Sequence, residues 1–164
     1  MTSKSMEVRD GVGLLSMGDT LLVLWAKPAS LDRWGFQLNR MEKMVVSRVE
    51  GILVLVIIMS VDTPPDVTVR NDMQAAVHRL GPKLRRLVAV PLGHSVWLSI
   101  IRTVVRGLLI VSGESKRHRV AASVRDGLIQ LCEKASPETP SMGDLLTGIE
   151  ELSLALGLKA SVAA

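Results

Sequence analysis

The chain has 164 residues, 48% of them apolar and 22% charged, with a formal net charge of +4. That length suits one domain with a real core. A single cysteine, Cys132, excludes an internal disulfide, and three Trp, one Phe and no Tyr leave few platforms on which nucleic-acid bases could stack.

Along the chain, "EVRDGVGLLSM", then Gly18-Asp19, then "TLLVLWAK" predicts two strands joined by a short hairpin turn. Pro28 stops the second strand, and Ser30 can cap a helix by accepting from a first-turn amide. Leu31, Trp34, Leu38, Met41, Val45 and Val49 recur at spacings of three and four, which gives that helix one apolar face.

The run "GILVLVIIM" from Gly51 is β-branched and apolar without alternation. Strands buried on both faces of a parallel sheet have this character. It is too short for a bilayer, which needs about 20 apolar residues. "VDTPPDVTVRNDM" follows and leads into a helix with Val69, Met73, Ala76, Val77 and Leu80 on one side, ended by Gly81-Pro82. Leu87 to Val90 reads as a second short buried strand. Residues 94–112 predict a long apolar helix with a polar strip of Ser95, Ser99, Arg102 and Arg106, and the two arginines argue against membrane insertion. Residues 119–123 suggest a last strand. Ser123 and Asp126 then have capping-box spacing at the start of "VRDGLIQLCEK". The order is ββαβαβαβα, an α/β sandwich around a mixed, mostly parallel sheet, with right-handed crossovers.

Composition divides the chain into a body at 1–134, a linker at 135–144 and a C-terminal amphipathic helix and tail at 145–164. Leu145, Ile149, Leu152 and Leu156 form the apolar stripe of that helix. The residues after Ala135 carry four acids and one base, so the tail is acidic and the body basic. A helix this short is not stable alone in water. It must cover its own domain, a second copy in a homodimer, or a partner. If that helix supplies contacts to a partner, deleting 136–164 is expected to leave the body folded but to abolish binding or self-association.

Sequence motifs for catalysis are missing: there is no G-x-G-x-x-G, P-loop, G-x-S-x-G or H-E-x-x-H. His78, His94 and His118 read as surface or capping residues, and Cys132 as a small core hydrophobe. Asp62 and Asp66 stand where carboxylates complement a helix dipole. No catalytic residue, metal site or cofactor is expected. Two basic clusters, "KLRRL" at 83–87 and "KRHR" at 116–119, lie beside strands and give only weak grounds for anion or nucleic-acid binding. The start of the chain lacks the apolar core of a signal peptide, so a cytoplasmic location is expected.

The hairpin, "GILVLVIIMS", "TPPDVTVR", "LVAVPLG" and "RVAASVRDGLIQL" together resemble the STAS-like superfamily over residues 6–134. These are small bacterial α/β domains related to anti-sigma-factor antagonists. The resemblance is strongest to a branch with a Pro-containing turn followed by a helical Arg, here Pro65 and Arg70. It implies a non-catalytic regulatory protein that inhibits or sequesters a protein partner. In the antagonists a phosphorylatable Ser or Thr opens the helix after the central strand, in an Asp-Ser-(Ser/Thr)-Gly setting. The matching neighbourhood here is "TPPDVT", which makes Thr63, Asp66, Thr68 and Arg70 the candidate partner-binding or switch surface. The residues themselves read first as a structural turn, with Thr63 capping the helix and Pro64 or Pro65 in its first turn. An alternative function is a binding module for a lipid or a small anionic or apolar ligand, held between the long apolar helix and the sheet. A self-associating scaffold is a further alternative.

Overall fold

The structure, a computed structural model, describes residues 3–59, 63–93, 96–111, 116–158 and 162. Asp62, His94 and Ser95, singled out in the sequence, lie outside the described residues.

Six strands form one sheet in chain order: β1 (Lys4–Arg9), β2 (Val12–Met17), β3 (Thr20–Trp25), β4 (Ile52–Ile58), β5 (Leu84–Pro91) and β6 (Arg119–Val120). β1 to β3 make an antiparallel meander, and β3 to β6 run parallel. The first expected strand is in fact two. Asp10 and Gly11 have φ of 46° and 77°, the signature of a two-residue type I′ turn, so the chain reverses there. β1 is the strand that the two-strand reading missed.

The helices are α1 (Leu31–Ser47), α2 (Val67–Leu80), α3 (Val96–Val111), α4 (Val124–Cys132) and α5 (Met142–Ala155). From β3 to β6 every crossover advances one position in the same direction. Right-handed connections then place α1, α2 and α3 on one face. α4 and α5 take the other. β4 shows the consequence: Ile52, Val54 and Val56 belong to the core under α1 and α2, while Leu53, Leu55 and Ile57 belong to the core under α4 and α5. A strand with apolar demand on both faces has no reason to alternate, which accounts for "ILVLVII".

Local signals set the helix starts. Ser30 Oγ accepts from Arg33 N at 3.2 Å, Ser123 Oγ from Asp126 N at 3.1 Å and Ser141 Oγ from Asp144 N at 3.1 Å. α2 differs from expectation. Its cap is Asp66, whose Oδ1 accepts from Val69 N at 2.9 Å, so Thr63, Pro64 and Pro65 all precede the helix. A carboxylate accepts more strongly from a helix-start amide than a hydroxyl does.

α5 lies against β2 and β3 with Leu145, Ile149 and Leu152 buried and Leu156 half-buried. Gly148 permits the close approach: a Cβ there would meet Leu15 Cδ2 and Met17 Sδ, each at 2.9 Å. The stretch before α5 is held by hydrogen bonds. Ser136 Oγ and Thr139 Oγ1 donate to Asp19 Oδ2 at 2.8 and 2.9 Å, and the buried Asp19 also pairs with Arg85.

Candidate functional site

The face under α1, α2 and α3 is not completely filled. At the carboxyl end of the parallel strands it contains a cavity of about 110 Å³. An engineered cavity of about 150 Å³ takes benzene, so this one is the size of a small ring or a short acyl segment. Its floor is Trp25 at the end of β3, Val56 and Ile58 of β4, and Leu87 and Ala89 of β5. α1 contributes Trp34 and Gln37, α2 contributes Met73, Gln74 and Val77, and α3 contributes Val105. The exposed Lys27 and Thr63 and the half-buried Pro65 are at its rim.

The void persists because the two indoles that could close it are pinned. Trp25 Nε1 donates to Gln37 Oε1 at 2.7 Å, and Trp34 Nε1 donates to Asp72 Oδ2 at 2.6 Å. Each bond holds a large flat ring at the wall, and rotating Trp25 inward would orphan the buried Gln37 in a low-dielectric interior. Ala89 adds to the space, because a small side chain lies where neighbouring strand positions carry Val and Leu. At the rim, Lys27 Nζ bonds Asp10 Oδ1 at 2.9 Å, and that bond, with Arg33 nearby, holds the Asp10 carboxyl below its usual range.

The four expected surface residues cluster at the start of α2, but only Thr63 reaches the cavity. Asp66 is engaged as the cap, Thr68 is exposed in the first helical turn, and Arg70 is half-buried. Arg70 Nε is buried and has no hydrogen-bond partner among the described residues. Leu145, Ile149 and Leu152 are on the opposite face of the sheet, so the two expected surfaces are separate.

Sequence reasoning missed Trp25 and Gln37 as site residues. A signal for Gln37 was present: it falls three positions after Trp34, inside the apolar stripe of α1, where a polar residue needs an explanation.

Other polar groups support the fold. His118, expected at the surface or as a cap, is buried, and its Nδ1 accepts from Leu87 N at 2.9 Å. Burial first, then the charges of Arg117, Arg86 and Arg119, lower its pKa to about 4. Arg85 and Arg86 of the first basic cluster are engaged internally, Arg85 with Asp19 and the buried Arg86 with Glu133 at 2.7 Å. That leaves less cationic surface for a phosphate-binding role. Burial, then the charge of Asp19, pushes the Cys132 thiol up, away from the reactive thiolate. Among the described residues no group of three or more His, Cys, Asp or Glu could hold a metal ion, and no helix is long and apolar enough to cross a membrane.

No family model matches the chain, and no curated protein matches it in sequence. Solved structures do. One is an uncharacterized protein of the DUF3478 family with a SpoIIAA-like fold from Shewanella loihica PV-4. It is 13% identical with a TM-score of 0.50, and the match covers 80% of this chain and 94% of that one. Another is an anti-sigma factor antagonist from Mycobacterium paratuberculosis, 14% identical with a TM-score of 0.40 and the same coverage. With its sequential mixed sheet and helices on both faces, the chain has the SpoIIAA-like, STAS-like α/β fold.

Proposed function

We propose that the protein is a non-catalytic regulatory module that takes a small, mostly apolar ligand into the cavity and controls a protein partner through the surface from Thr63 to Arg70. The observation that carries this reading is the cavity itself: an apolar void at the carboxyl end of parallel strands, where α/β sheets commonly bind ligands. The chemistry of the wall supports binding over turnover. Two amides, a lysine paired with Asp10 and a rim hydroxyl offer hydrogen bonds but no general base beside a nucleophile. The two halves of the reading meet at Thr63 and Pro65, which line the cavity and lead directly into the capped start of α2. A guest touching them biases the surface that a partner would contact.

Trp25 and Trp34 on the wall make the test direct. Titration with single-ring and short-acyl compounds should change tryptophan fluorescence saturably, and Ala89→Leu, which fills the void, should abolish the response while the protein stays folded. Failure of every such compound to bind at millimolar concentration would overturn the ligand half of the reading.

A further inference from the structure

Of the amide, lysine and hydroxyl side chains that line the cavity, that of Gln37 is the most deeply buried. Gln37 is 2% exposed and sits on the wall. The orientation of its amide is chemically fixed. The indole N–H of Trp25 can only donate, so the Gln37 atom 2.7 Å from it is the oxygen, and the amide nitrogen is the group left over. That nitrogen carries two N–H donors. It reaches Met41 Sδ at 3.5 Å, and a thioether is a weak acceptor. Among the described residues the second N–H has no acceptor. Buried polar groups are ordinarily bonded, so a donor of this kind on the wall of a void large enough for a guest points to what the guest brings.

Resting on the cavity being a ligand site, we infer that it selects a neutral guest bearing a carbonyl oxygen on a ring or short acyl segment, and that Gln37 donates to that oxygen. The guest is neutral because the lining cation, Lys27, is exposed and already bound to Asp10, so a carboxylate carried inside would find no countercharge. Gln74, the other lining amide, is half-buried and shares its surroundings with solvent, so it discriminates less.

The test compares two guests of the same shape, cyclohexanone and methylenecyclohexane, on the wild-type protein and on Gln37→Leu. Affinities come from chemical-shift titration of ¹⁵N-labelled protein. Leaving a buried carbonyl without its donor costs about 1–3 kcal/mol, so the ketone-to-alkene affinity ratio should fall on the order of tenfold in Gln37→Leu. In the wild type, the Gln37 side-chain amide protons should shift downfield with the ketone and not with the alkene, a readout that survives even if the variant fails to fold. If both guests bind with the same ratio in the two proteins and the amide protons do not distinguish them, Gln37 is not the selector and the carbonyl assignment is wrong, although the cavity remains a ligand site. If neither guest binds the wild type, the cavity reading itself falls.

Discussion

Ile149→Ala asks whether α5 belongs to the cooperative core or hangs from it as an arm for some other surface. Ile149 is 0% exposed and packs in the same cluster as Leu15, Leu22 and Leu53. Truncating a buried Ile to Ala costs about 2–5 kcal/mol, the sum of lost transfer energy and the void left behind. A domain of this length loses roughly 2–4 °C of melting temperature per kcal/mol. A central cost of about 3 kcal/mol therefore predicts a drop of roughly 6–12 °C, out of a total stability on the order of 5–15 kcal/mol. The assay is thermal denaturation followed by circular dichroism at two protein concentrations tenfold apart. The shift should not depend on concentration, because the partners of Ile149 are in the same chain. Leu154→Ala is the control: that residue is 75% exposed on the same helix and should move the melting temperature by no more than a degree or two. An Ile149→Ala protein that melts within a degree of wild type would refute the packing argument and return α5 to the status of a detachable arm.

By the same reasoning, cutting the chain after Ala135 bares Leu15, Met17 and Leu22, so the truncated protein should bind a hydrophobic dye and aggregate, against the expectation for a tail that serves only a partner. Asp19→Ala strands the Arg85 guanidinium and the hydroxyls of Thr20, Ser136 and Thr139 at the base of the sheet, and urea titration should show a loss of about 3–5 kcal/mol. Acid should weaken the fold through His118. The unfolded residue takes up its proton near pH 6.5 and the folded one only near pH 4, so between those values the unfolded chain holds more protons. Stability then falls as pH falls across that window, by roughly 3 kcal/mol in all, and levels off below it. His118→Asn, which can still accept from Leu87 N, should flatten this dependence in urea titrations at pH 7 and 4.5; an unchanged slope would remove His118 as its source.

The parts of the fold read correctly from sequence were those governed by neighbours close along the chain. Ser30 and Ser123 announce helices through bonds three residues long, and "ILVLVII" announces burial on both faces through its own composition. The Asp10-Gly11 turn was equally local and was overlooked, because apolar residues on both sides of it suggested one long strand. The cap of α2 went to Asp66 instead of Thr63 because two acceptors compete there and the carboxylate is the stronger. The cavity is a different matter. It depends on how Trp25 and Gln37, twelve residues apart, and Trp34 and Asp72, thirty-eight apart, meet in space. No periodicity encodes such a meeting. His118 was misread for the same reason: its partner, Leu87 N, is supplied by a neighbouring strand.

Topology explains why the tail belongs to the fold and why the cavity is where it is. A sheet whose parallel strands follow in chain order receives every crossover helix on one face, so α1, α2 and α3 crowd together while the other face receives nothing from the crossovers. Strands β2 to β5 still present an apolar surface there, formed by Leu15, Leu22, Leu24, Leu53, Leu55 and Ile57 among others. α4 has nine residues and packs chiefly on β4 and β5. β2 and β3 would stay bare, at about 25 cal/mol for every Å² of apolar surface left in water, unless another helix returned over them. α5 is that helix, and Asp19 fixes the route by which it returns. With the second face closed in this way, the imperfectly filled first face is where the proposed guest would enter, and Thr63 and Pro65, just before α2, lie at its rim. Filling the void with Ala89→Leu and unsealing the opposite face with Ile149→Ala should therefore have separable effects, the first on ligand response with little loss of stability, the second on stability with the ligand response retained below the melting transition.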